Sequence, residues 1–228
     1  MDHLLIIILG FLAQVLFFIR VIAQWFKSEK EGEVLSPVIF WQISLLASIL
    51  MLTYGILRND FAIVVGQLLV YLIYIRNLQL KNAWKRMHWL VRLLSIFVPL
   101  GYVFWLIFSG NFAAILKNKE VSTFWLIWGT LAQLVFISRF FYQWIFSEKE
   151  KNSVFPLGFW VISIIGSSMI FTYSIPRLDP VLFASHGFGI FVYTRNILLH
   201  YGRKSLFAKL DEMPGINKLI GKISDKIK

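Results

Sequence analysis

The chain is 228 residues long, 58% hydrophobic and 15% charged, with a mean hydropathy of +0.70; soluble domains carry about 25% charged residues, so a water-soluble globule is excluded and an integral membrane protein is indicated. Zero cysteines remove disulfides, Cys-based zinc sites and thiol nucleophiles, and the four histidines (His3, His88, His186, His200) are too scattered to hold a metal, so neither metal nor cofactor is expected. In so apolar a chain the net charge of +11 points to anionic lipid rather than nucleic acid as the partner.

Seven apolar segments approach the roughly 20 residues that a bilayer core demands. They are predicted at 4–25, 38–57, 61–80, 93–116, 124–146, 157–175 and 180–199. Asp2 and the length of the first run argue against a cleaved signal peptide. Very short links predict tight antiparallel hairpins for segments two and three and for six and seven. Beyond Pro214-Gly215, Ile216, Leu219, Ile220, Ile223 and Ile227 make one helical stripe, with Lys218, Lys222 and Lys226 facing away. Such a basic amphipathic helix is expected to lie on a membrane surface.

The chain repeats itself. Residues 10–80 align without a gap on residues 129–199 at an offset of 119, and 27 of the 71 positions are identical. Hydrophobic bias matches leucine with leucine, but it does not match charges, tryptophans and prolines at a fixed offset. The fourth segment has no counterpart. Three helices per copy would invert the second copy, and an unrepeated helix restores parallel orientation. The expected fold is therefore all-α and polytopic, with seven transmembrane helices in a 3+1+3 parallel-repeat arrangement. Its parts are a first three-helix repeat (1–80), a basic loop and linker helix (81–122), a second repeat (123–200) and a basic tail (201–228).

With the N-terminus outside, seventeen Lys and Arg face the cytoplasm and four (Arg58, Lys117, Lys119, Arg177) face out. The expected topology is thus N-out and C-in, by the excess of basic residues in cytoplasmic loops.

The repeated polar residues are the site candidates. Arg20 and Gln24, with Arg139 and Gln143, lie one helical turn apart inside predicted spans, where an arginine is functional by default unless partnered. The competing reading is an ion pair with Glu29 or Glu148, or snorkelling to the headgroups. Trp25 and Trp144 follow at the interface. Arg76-Asn77 and Arg195-Asn196 end segments three and seven, as substrate contacts or as basic anchors. Pro37 and Pro156 open segments two and six, with Trp41 and Trp160 one turn inside as packing aromatics or cavity walls. Tyr54-Asp60 and Tyr173-Asp179 mark the outer hairpins, where the aspartates are expected caps. Gln67 is matched by His186, a titrating group or a packed one. There is no GxSxG, Walker loop, HExxH or glycine-rich dinucleotide turn, so no enzymatic chemistry is expected.

The Arg-x3-Gln-Trp-x2-Ser-Glu blocks, followed by Pro-x2-Phe-Trp and ending in Tyr-x-Arg-Asn, resemble the lipid A biosynthesis N-terminal domain, in two copies covering most of the chain. In some proteins that domain precedes a lipid-A-disaccharide synthase glycosyltransferase, a part not expected here. The three-one-three plan is also similar, more distantly, to PQ-loop and SWEET-type transporters, although Pro37 and Pro156 are not followed by glutamine. The resemblance implies envelope-glycolipid biology in a bacterial inner membrane. The expected activity is binding and translocation of a lipid with an anionic, sugar-bearing head, such as a lipid A precursor or a polyprenyl-phosphate sugar. The alternatives are a small-solute transporter and a non-transporting scaffold for lipid A enzymes.

Overall fold

The computed structural model describes residues 3–57, 61–108, 123–176, 180–203 and 206. The outer-hairpin residues Arg58, Asp60, Arg177 and Asp179, together with Lys117, Lys119 and the amphipathic stripe at 216–227, lie outside the described residues. Every regular element described is helical. The order is α1 (His3–Glu31), α2 (Val38–Leu57), α3 (Phe61–Leu80), a 3-10 turn (Trp84–Arg86), α4 (Trp89–Phe108), α5 (Thr123–Glu150), α6 (Leu157–Ser174) and α7 (Pro180–His200). The spans Leu4–Glu31, Val38–Leu57, Ile63–Leu80 and Leu157–Ser174 are long and apolar enough to cross a membrane. Large apolar side chains such as Leu4, Phe11, Leu72, Phe97 and Leu134 face outward, as they must where the surrounding solvent is hydrocarbon. This is an all-α membrane protein.

Two helices run past the ends of their apolar stretches. Hydropathy ends the first and fifth segments at Trp25 and Phe146, but α1 continues to Glu31 and α5 to Glu150. Ser-Glu-Lys-Glu contains good helix formers, and the added turns place Ser28, Glu29, Ser147 and Glu148 on the helix face that meets the rest of the molecule. Both helices stop at a left-handed residue, Gly32 (φ 73°) and Lys151 (φ 51°). In α5 the Asn152 N–H closes back on the Ser147 carbonyl at 3.2 Å, the six-to-one bond that satisfies a helix end. Helix α4 begins at Trp89 instead of near Leu93 and contains Pro99.

Within each copy the second helix is central: α1 and α3 pack on α2, and α5 and α7 pack on α6. Between copies the contacts are α3 with α5 and α1 with α7. Each copy therefore offers its first helix to the other's third. The expected linker helix α4 leans on the first copy, where the Tyr102 hydroxyl meets Thr53 Oγ1 on α2 at 2.9 Å. One core crosses the seam: Phe40, Trp41 and Tyr74 of the first copy share a buried cluster with Phe140, Phe155, Phe159, Trp160 and Tyr193.

Candidate functional site

The repeated polar residues meet at that seam, and the pairs they form are swapped between copies. Gln24 Nε2 donates to Asn196 Oδ1 at 2.8 Å, and Asn196 Nδ2 donates back to Gln24 Oε1 at 3.3 Å. The matching pair is Gln143 with Asn77, at 2.8 Å and 3.1 Å. All four side chains are buried. The Gln amides also hold the segment after each first helix, donating to the Leu35 carbonyl at 3.2 Å and the Val154 carbonyl at 2.9 Å. Ser28 and Ser147 accept the N–H groups of those same residues. Leaving a buried amide unpaired costs about 1–3 kcal/mol, so the two Gln–Asn pairs resist separation of the copies.

The ion pairs are swapped in the same way. Arg195 binds Glu29 through Nε at 2.7 Å and Nη2 at 3.1 Å. Arg76 binds Glu148 through Nε at 2.5 Å and Nη2 at 2.8 Å. Both are bidentate, the geometry in which a guanidinium holds a carboxylate best. Trp25 and Trp144 donate from Nε1 to the glutamate on the next turn, at 3.0 and 2.8 Å. The Arg76 guanidinium beside it, with help from the Trp144 indole, holds the Glu148 carboxyl down at about 2.

The glutamates therefore do not serve Arg20 and Arg139. Each of those arginines is 5% or less exposed and is held within its own copy. Arg20 Nη1 donates to Ser44 Oγ at 2.7 Å and to the Tyr74 hydroxyl at 3.1 Å. Arg139 Nη1 donates to Ser163 Oγ at 3.2 Å and to the Tyr193 hydroxyl at 3.1 Å. Each serine passes its own proton to a carbonyl one turn earlier, leaving its oxygen free to accept. The rest of each cage is aromatic: Phe17, Phe40, Tyr74 and Phe140 surround Arg20, and Phe136, Phe140, Phe159 and Tyr193 surround Arg139. Phe140 thus lies near both guanidinium carbons, at 5.4 and 4.8 Å. Ring faces attract a cation, by about 2 kcal/mol when desolvated, but carry no counter-charge. Among the described residues no carboxylate pairs with either arginine, and the Nε of both has no hydrogen-bond partner.

Trp41 and Trp160 are core residues at this seam. Trp41 Nε1 donates to Ser36 Oγ at 2.9 Å, and Ser36 meets Ser153 of the other copy at 2.7 Å. His186 stands apart from the swapped network. Its Nδ1 is 2.9 Å from Ser167 Oγ on the neighbouring helix of its own copy. Gln67 accepts from the matching Ser48 at 2.6 Å, so glutamine and histidine fill one structural role. Of the cage residues, Tyr74 and Tyr193 stand in the sequence as the tyrosines of the Tyr-x-Arg-Asn ending, without a role, and Ser44 and Ser163 are not among the sequence candidates, although the 119-residue offset that singles out the arginines pairs them too.

A family model described as Lipid A Biosynthesis N-terminal domain matches residues 9–79 and again residues 128–198. Among curated proteins, the chain is 30% identical over 211 residues to a lipid-A-disaccharide synthase of Chlamydia pneumoniae, covering 89% of this chain and 35% of that protein. It is 28% identical to the synthase so named from Chlamydia felis, over 87% of this chain and 33% of the relative. It is 27% identical to that of Chlamydia trachomatis serovar D, over 83% and 33%. The chain thus spans about a third of the length of these relatives. No solved structure matches it.

Proposed function

Because the chain belongs to the lipid A biosynthesis N-terminal domain family, in two tandem copies, we propose that it binds a lipid with a phosphorylated, sugar-bearing head and passes it between the leaflets of a bacterial inner membrane. The copies act as parallel halves in the 3+1+3 sense, with the basic helix ends in the cytoplasm and the N-terminus outside. The head group moves along the seam, and the swapped amide and ion pairs form its cytoplasmic closure.

The observation that carries this reading is the pair of caged arginines. Two buried like charges in a low-dielectric interior repel, and burying each costs several kcal/mol that hydroxyls and rings only partly offset. An anion arriving between the copies relieves that cost, and a phosphate suits a guanidinium because it accepts two bonds at once. The test is translocation of a phosphorylated glucosamine lipid in liposomes by Arg20→Ala, Arg139→Ala and the Arg→Lys variants. Each is first shown to be folded. Loss in the alanine variants, and marked impairment in the lysine variants, is the expected result. Wild-type rates in folded Arg20→Ala and Arg139→Ala would assign the arginines a structural role.

A second reading has an observation of its own. Gln24, Gln143, Asn77, Asn196, Glu29 and Glu148 are all satisfied inside the protein, as a static scaffold for lipid A enzymes would have them. On that reading, opening the seam leaves lipid distribution unchanged.

A further inference from the structure

The two seams are built from matched residues, yet they differ in the way that decides access. At the α1/α7 seam, Phe188 and Phe191 pack edge-on against Trp25 with ring centroids 6.3 and 5.5 Å apart, and Phe18 lies 5.0 Å from Phe188. The Leu206 N–H donates to Glu29 Oε2 at 2.9 Å, a further bond to the ion pair's carboxylate. The Glu29 side chain is 0% exposed and that of Arg195 11%.

At the α3/α5 seam, the positions of Phe188 and Phe191 are Leu69 and Leu72. Both are exposed, and a groove of about 710 Å³ runs between α3 and α5. Its walls are Leu69, Leu72, Phe141 and Trp144, and its basic end is the Arg76–Glu148 pair. Here the pair is open, with side chains 43% and 35% exposed. The groove is apolar along its length and charged at one end, on the side of the molecule where the helix ends carry lysine and arginine.

Resting on the reading above, we propose that the α3/α5 groove is the one entry site of the pair: it takes a membrane lipid with an anionic phosphate head. The acyl chain lies along Leu69 and Leu72, and the phosphate takes Arg76 from Glu148. Charge complementarity chooses the occupant. Glu148 already presents two oxygens to the Arg76 fork, and a phosphate presents the same pair with more negative charge. A neutral apolar helix would bring Arg76 no anion to exchange for Glu148, and a peptide anion brings no chain to fill the groove. Entry from one side also explains why the third helix carries phenylalanines at one seam and leucines at the other: a second portal would let lipid leak past the closure.

The test uses the whole chain in nanodiscs with a photoactivatable phosphatidic acid, compared with the phosphatidylcholine of the same chains. Cross-links to phosphatidic acid are expected on α3 and α5 and not on α1 and α7. Leu69→Phe with Leu72→Phe, which installs the residues of the sealed seam, is expected to abolish them. Arg76→Ala, a change at an exposed side chain, is expected to lower the yield about tenfold, and Glu148→Gln to raise it by removing the competitor. Equal labelling by phosphatidylcholine marks ordinary boundary lipid and overturns the proposal, as does labelling spread evenly over both seams. The groove and the transport function fail separately. Labelling as described with no translocation sinks the transport reading alone. Translocation with normal labelling of the folded double phenylalanine variant sinks the groove alone.

Discussion

Arg20 and Arg139 were legible in the sequence as costly intramembrane charges, but their surroundings were not. Periodicity says that an arginine faces inward; it does not say whether a carboxylate, a hydroxyl or a ring meets it there. Glu29 and Glu148 lie on the same helices as these arginines, which makes a local ion pair the simplest expectation. The structure instead sends both glutamates across the seam to Arg195 and Arg76, because nine residues are two and a half helical turns and put each glutamate on the face opposite its own helix's arginine. The tryptophans show the same limit. Trp41 finds Ser36, whereas the residue in that place in the second copy is Phe155, and Trp160 Nε1 has no hydrogen-bond partner among the described residues. The Arg76–Glu148 pair gives a prediction at this scale. Its carboxyl is depressed from the ordinary 4.5 to about 2, so its stabilisation is fully present above the unfolded value and lost only as pH falls through the folded one. The melting-temperature difference between wild type and Glu148→Gln should hold constant from about pH 8 to about pH 5 and shrink below about pH 4. A difference that already collapses near neutral pH would show that another group is titrating.

Among the elements, hydropathy located the interior of each helix well and its ends poorly. The apolar runs end near Trp25 and Phe146, yet the helices run on through Ser-Glu-Lys-Glu, because the polar turn is held by contacts with the other copy and not by lipid. The duplication also exposes a difference at the two matched helix ends. Gly32 and Lys151 share the left-handed conformation, which costs a side-chain-bearing residue about 1–2 kcal/mol. Among the described residues nothing lies within 4 Å of where a side chain at Gly32 would start, so backbone conformation decides the effect of a substitution there. Lys151→Gly should therefore stabilise the protein by about 0.5–1 kcal/mol once the greater freedom of glycine in the unfolded chain is subtracted. Gly32→Ala should destabilise it by a similar amount. Thermal unfolding in one detergent checks both, and a stabilising Gly32→Ala would show that the helix ends are not set by backbone conformation. Helix α4 is where the sequence helped least. An unrepeated apolar segment has no second copy to compare with, and its lean on α2 through Tyr102 and Thr53 follows from tertiary packing alone.

At the scale of the whole molecule, the repeat offset carried the most information, since it grouped Arg, Gln, Trp, Glu and Asn into one set before any contact was known. It did not reveal that members of the set would pair with the other copy's members. Reciprocal contact, in which residue i of one half meets residue j of the other and the reverse, is what two-fold related halves produce, and it concentrates the matched polar groups at one interface. For a lipid to pass along the seam, as proposed, that interface must move. Ser36 and Ser153 face each other across it with their Oγ atoms 2.7 Å apart, and the chain has no cysteine to interfere. Ser36→Cys with Ser153→Cys therefore allows the seam to be locked by oxidation and freed by reduction, and lipid translocation in liposomes can be read in both states. Transport is expected to stop on complete cross-linking and to return when the bond is reduced. Unchanged transport by fully cross-linked protein would contradict this.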